Sequence, residues 1–152
     1  MYGDIDYTIR ALSAADAREL NVTLRYGVHN GVIWCIAASD HHLYIASTSS
    51  DGAVKIAENT TRHKRRQPRH QTVYELKLEA NGSFRYMDGF PVQYATSEKD
   101  ISLSLSLVNP LQSIHKAAWN PNLKAAGWLV TGGPAGLCRL EFIGCGPTLD
   151  NK

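Results

Sequence analysis

Six histidines (29, 41, 42, 63, 70 and 115), three cysteines (35, 138 and 145) and 14 acidic residues are the groups that could do acid–base, nucleophilic or metal chemistry in this chain. Their spacing does not support it. No His has a carboxylate or Cys placed for a triad or a metal ligand set, and the three thiols sit in no metal-binding spacing. His41-His42 falls in a polar turn and reads as solvated. The string Gly132-Gly133-Pro134-Ala135-Gly136 lacks the Lys-Ser/Thr of a phosphate loop and leads into a strand, so it reads as a tight turn. The expectation is a protein with no catalytic residues, cofactor, metal or small-molecule substrate.

The chemistry that remains is charge. Residues 62–70 read RHKRRQPRH, with five Lys/Arg and no acid. The chain holds 16 basic and 14 acidic residues, so without those five it carries 11 against 14. The positive charge is concentrated in one segment, which speaks of a partner rather than a fold. Lys64, Arg65, Arg66 and Arg69 are the candidates for contact with nucleic-acid phosphates. Two other readings stand beside it: a solvated loop held open by like charge and Pro68, and a nuclear address. No aromatic residue interleaves with the run, so any nucleic-acid contact would be to backbone and largely independent of sequence.

The elements that would position these groups are strands. Alternation and β-branched or aromatic enrichment mark 20–26, 32–37, 43–48, 53–57, 72–79, 83–87, 101–108, 113–119, 128–131 and 136–142. Asn81-Gly82 predicts a two-residue hairpin turn between the fifth and sixth of these. SAADAREL at 13–20 is the one helical candidate, with Ser13 as cap. Trp34, Trp119 and Trp128 lie on or at the ends of strands and are expected to pack in the core or between units. With 43% hydrophobic and 20% charged residues, 152 residues are one soluble-type domain; there is no membrane-length apolar run. An odd thiol count points to a reducing compartment, where the sequon at Asn59 stays idle.

Two stretches align. LYIASTSSDGAVKI at 43–56 and WLVTGGPAGLCRL at 128–140 match with Tyr44 on Trp128, Ser47 on Thr131, Gly52 on Gly136, Lys55 on Arg139 and Ile56 on Leu140. Upstream, VIWCIAAS and SIHKAAWN match at an offset three residues smaller, so the second copy has a three-residue insertion before its middle strand. The unit is strand, polar turn, strand, Gly turn, strand, and copies spaced this way fit propeller blades of about 40–45 residues with a degenerate unit between.

The first copy carries His29 before its first strand, Ser47 on its second and Asp51 in the following turn. This resembles the WD-repeat family, in which those residues form a hydrogen-bonded network across the blade. An Asp accepting an imidazole N–H there makes a charge-assisted bond. Ile56 replaces the usual third-strand Trp. The second copy has Ala135 for Asp51, Thr131 for Ser47 and no His before its first strand. Together with H-x-G at 29–31, SDHHLYI, DGFP at 88–91 and the WNPN–GWL–GL–R string at 119–139, the chain is similar to the WD-repeat subunit of transcription factor IIIC, which brings the RNA polymerase III machinery to its genes.

That resemblance implies an all-β, partial propeller arc: a first repeat at 29–57, a basic loop at 58–71, a degenerate segment at 72–110, a second repeat at 111–143 and a tail at 144–152. It further implies a nuclear protein-interaction module whose partners are other transcription-factor subunits, with auxiliary DNA contact and no membrane. The alternative is a generic WD-repeat scaffold without a nucleic-acid role. A closed seven-bladed ring takes roughly 280 residues. An arc of this length is therefore expected to expose edges and to self-associate, with LNVTLRY at 20–26 a candidate outer strand for the last unit.

Overall fold

A computed structural model describes residues 2–3, 7–12, 23–59, 69–89, 93–94 and 109–144. They form an all-β fold of three antiparallel sheets. The first sheet joins β1 (Tyr2–Gly3), β2 (Thr8–Leu12) and β3 (Thr23–Val28). The central sheet runs β4 (Ile33–Ala38), β5 (Tyr44–Ser49), β6 (Ala53–Glu58), β7 (Arg69–Leu78) and β8 (Phe84–Asp88), with β9 (Gln93–Tyr94) also on β7. The last sheet is β10 (Lys116–Trp119), β11 (Trp128–Gly132) and β12 (Cys138–Phe142).

The two aligned stretches adopt one pairing register. Tyr44↔Glu58, Ala46↔Ile56 and Ser47↔Lys55 in the central sheet correspond to Trp128↔Phe142, Val130↔Leu140 and Thr131↔Arg139 in the last. The preceding strands agree as well: Ala38↔Ile45 and Cys35↔Thr48 correspond to Trp119↔Leu129 and Lys116↔Gly132. Turn bonds repeat too. The Gly52 amide donates to Ser49 O at 3.2 Å and that of Gly136 to Gly133 O at 3.1 Å. Both glycines have φ near +80°, at 81° and 74°, where a side chain is disfavoured. The three-residue insertion sits between β10 and β11, where a 3-10 turn at Leu123–Ala125 follows an Asn122 cap.

Side-chain alternation gives the central sheet two apolar faces. Ala46, Val54, Ile56, Tyr74 and Leu76 pack against Ile114, Trp119 and Leu129 of the last sheet and its approach. On the opposite face Ile45 and Ala57 pack against Ile9 of the first sheet. The sheets thus stack in chain order, the central one offering one face to the first sheet and the other to the last.

Several details differ from the sequence reading. The β7–β8 connection is a three-residue loop, not a two-residue one: the Gly82 amide donates to Glu79 O at 2.9 Å and the Glu79 amide to Ser83 O at 2.8 Å. Only Gly82 takes positive φ, while the Asn81 carboxamide accepts from the Ser83 amide and hydroxyl. Its side chain stabilises a type I turn with a glycine bulge, which the Asn-Gly pair alone does not distinguish from the tighter turn. Residues 113–115 are not strand; a 3-10 turn at Pro110–Gln112, capped by Asn109, precedes them and delays β10 to Lys116. β7 begins at Arg69, because it is paired on both sides there, Arg69 with Tyr94 and His70 with Ala57 and Gln93. β3, which contains most of LNVTLRY, pairs with β2. The helical candidate at 13–20 and the strand expected at 101–108 lie outside the described residues.

Candidate functional site

His29 precedes β4 and is 1% exposed, Ser47 lies inside β5, and Asp51 sits in the β5–β6 turn. His29 Nδ1 is 3.1 Å from Asp51 Oδ2, and Nε2 is 2.8 Å from Ser47 Oγ. The carboxylate also accepts the backbone amides of Asn30 and Ala53, each at 2.8 Å. Burial acts to raise the Asp51 pKa; the hydrogen bond from His29 and those from the two amides outweigh it and hold the group at about 2. Burial lowers the His29 pKa despite Asp51, so the imidazole is neutral near pH 7. An ionised Asp51 requires the proton on Nδ1; Nε2 then accepts from the Ser47 hydroxyl. One imidazole thereby ties the segment before β4 to the middle of β5 and to the following turn.

The second unit lacks that arrangement and uses another. Thr131, at the place of Ser47, is 3% exposed, and its hydroxyl bonds the Tyr74 phenol of β7 in the central sheet. Thr131 Oγ1 donates to Arg139 O at 3.5 Å, as Ser47 Oγ faces Lys55 O at 3.4 Å. A bond within one unit has been replaced by one between sheets. Burial raises the Tyr74 phenol to about 12, the bond to Thr131 opposing it. Ala135, in the place of Asp51, packs instead against the apolar cluster.

Arg139 closes the same seam. Its guanidinium reaches Asp88 of β8 at 2.6 Å and Glu141 at 2.8 Å, and lies 4.7 Å and 5.0 Å from the ring centres of Tyr74 and Tyr86. A bidentate, ring-stacking cation suits this position in a way an ammonium would not. On the other face of the central sheet, burial and then the charge of Lys55 push the His70 pKa down to about 4. Among the described residues, His70 Nδ1 has no hydrogen-bond partner.

His41 and His42 are more than a solvated turn. His41 donates through Nε2 to Pro121 O at 2.8 Å and His42 through Nε2 to Ala126 O at 3.1 Å, joining their turn to the loop between β10 and β11. Of the three tryptophans only Trp119 is buried, its indole donating to Ala37 O at 3.0 Å. Trp34, 51% exposed, leans on His115, and Trp128, 38% exposed, on Phe142. Among the described residues no three His, Cys, Asp or Glu side chains gather into a metal-holding group. Lys64, Arg65 and Arg66 lie outside the described residues, and Arg69 is the first residue of β7. His29, Ser47 and Asp51 were legible through the resemblance to WD repeats; Tyr74 and Arg139 gave no such signal, since their partners come from another sheet.

No protein-family model matches the chain. It is similar to the transcription factor tau subunit sfc6 of Schizosaccharomyces pombe, 31% identical over 120 residues, which is 75% of this chain and 20% of that protein. A 33-residue stretch, 22% of this chain, is 52% identical to the general transcription factor 3C polypeptide 2 of Homo sapiens and of Pongo abelii, covering 4% of each. The chain therefore spans about a fifth of the length of the yeast relative and far less of the primate ones.

Proposed function

We propose, from its likeness over three quarters of its length to a transcription factor tau subunit and over a shorter stretch to general transcription factor 3C polypeptide 2, that the chain is a WD-repeat interaction module within a general transcription factor of RNA polymerase III. The observation that carries this reading is the 31% identity over 120 residues to a transcription factor subunit. The geometry supports the module. Two units share one strand register, and the first keeps a His–Ser–Asp network of the WD type. A network of this sort holds loops at fixed positions and so offers a rigid surface to other subunits.

The basic run at 62–70 adds an auxiliary role in this reading, contact with DNA phosphates through Lys64, Arg65, Arg66 and Arg69, in a nuclear protein. The test is chromatin immunoprecipitation of the tagged chain in its own cells. Enrichment at genes that also carry RNA polymerase III is the expected result. A chain that is expressed and soluble but shows no enrichment there would favour the generic scaffold instead.

A further inference from the structure

The dipeptide Asn-Gly stands at 30–31 and again at 81–82. In this pair the asparagine carboxamide is open to attack by the next backbone nitrogen, because glycine has no side chain to crowd the approach and its backbone turns freely. The two copies share that chemistry and differ in what surrounds them.

Around Asn30 the backbone is held. His29 before it is buried and tied to Ser47 and Asp51, and the Asn30 amide donates to Asp51 Oδ2 at 2.8 Å. Gly31 is wedged: a Cβ there would lie 2.3 Å from Ser50 Oγ and 3.0 Å from the Asp51 nitrogen. Bringing the Gly31 nitrogen onto the Asn30 carboxamide requires rotation about the bonds between them, and this packing opposes it.

Asn81 has the opposite surroundings. Asn81, Gly82 and Ser83 are all exposed at the tip of the β7–β8 hairpin, and a Cβ on Gly82 would meet nothing within 4 Å among the described residues. The Gly82 amide donates to Glu79 O at 2.9 Å, a turn bond at an exposed tip where water can replace it. Asn81 Oδ1 accepts two donors, the Ser83 amide at 2.9 Å and the Ser83 hydroxyl at 2.7 Å. Both draw electrons from the carboxamide carbon, and both stand at the distance that stabilises negative charge growing on the oxygen.

We propose that Asn81 is a self-modification site, converted in the folded protein to aspartate and isoaspartate while Asn30 stays an amide. The Gly82 nitrogen gives its proton to hydroxide and forms a bond to Asn81 Cγ, the carbonyl electron pair moving onto Oδ1 under the two Ser83 donors. That pair returns as the bond to the carboxamide nitrogen breaks. The nitrogen leaves as ammonia with a proton from water, which regenerates hydroxide. The cyclic imide then takes up one water and opens at either carbonyl, to an aspartyl or an isoaspartyl residue; nothing is oxidised or reduced. Each event adds a negative charge to the tip beside Glu79, and the isoaspartyl product adds a carbon to the main chain of the three-residue loop, upsetting its turn. The inference is independent of the transcription-factor reading.

Incubation of the full chain at mildly alkaline pH, then digestion and chromatographic mass spectrometry of the peptides carrying residues 30 and 81, tests it. In the folded chain the Asn81 peptide should give way to two separable acid products while the Asn30 peptide keeps its amide. In denaturant the two rates should converge. Ser83→Ala, at an exposed position, should slow conversion of Asn81 several-fold in the folded chain and leave Asn30 unchanged. Loss of Asn81 no faster than of Asn30 in the folded chain overturns the proposal, and so does an advantage of Asn81 that persists in denaturant. An aspartyl product alone would contradict the cyclic route, and a Ser83→Ala chain reacting at the wild-type rate would contradict the role of the two donors; either result overturns the proposal as stated.

Discussion

Replacing Asp51 by Ala removes the acceptor that joins three donors: His29 Nδ1 and the amides of Asn30 and Ala53. The His29 ring is fully buried and Asp51 itself nearly so, with side-chain exposures of 0% and 9%. Water can serve the exposed Asn30 amide but not the imidazole, so the cost is set by an orphaned buried donor, about 1–3 kcal/mol. The ionisation of Asp51 gives a second route to the size. Holding the carboxyl at about 2 in the fold, against 3.8 when free, corresponds to about 2 kcal/mol at neutral pH. Because the folded pKa is depressed, that stability is present above about pH 4 and is lost as pH falls toward 2. Denaturant melts at pH 7 should show Asp51→Ala destabilised by this amount with an unchanged slope. The gap to wild type should then narrow as pH drops from 4 to 2. Ala135→Ser, at the matching turn of the second unit, should change stability by under about 0.5 kcal/mol. Equal small effects of the two substitutions, or a gap independent of pH, would refute the network.

Tyr74→Phe should cost about 1 kcal/mol in the same melts by removing the phenol's bond to the Thr131 hydroxyl, and the double variant with Thr131→Val should be less than additive, since the pair shares that bond. Gly52→Ala should destabilise clearly more than Gly82→Ala: both have φ near +80°, but a Cβ at Gly52 would lie 2.5 Å from Leu76 O while that at Gly82 meets open space. His70, held neutral in the fold, loses stability on protonation, so acidification from about pH 6.5 to 4 should weaken the wild type, and His70→Leu should flatten part of that slope. Changing Lys64, Arg65, Arg66 and Arg69 to Ala should weaken duplex DNA binding alike across sequences and flatten log K against log salt by up to about 0.9 per lost contact, with fold stability unchanged; an unaltered slope would remove the phosphate role.

Much of the fold was readable because strand signals are local. Alternation placed β4, β5, β6 and β11 within a residue of their observed starts, and the small-residue run with its Gly turn revealed the repeat before any pairing was known. What a window of sequence does not carry is the partner of a side chain in another sheet. The Tyr74 phenol reaching Thr131, Arg139 lying over two tyrosines, and His41 and His42 binding loop carbonyls about 80 residues away all depend on stacking, which leaves no periodicity behind. Thr8–Leu12 was missed for a related reason. TIRAL is short and carries a charged Arg10, and it becomes a strand through β3, with a bulge at Ile9/Arg10 that breaks its alternation.

The central claim, membership of a transcription factor IIIC-like assembly, meets its most direct test in affinity purification of the tagged chain from its own cells, followed by mass spectrometry with quantification against an untagged control. The account predicts that subunits of the RNA polymerase III factor co-purify, and that Asp51→Ala, by loosening the loops that His29 holds, lowers their recovery. Recovery of a different assembly with none of those subunits, from a folded and soluble chain, would contradict it.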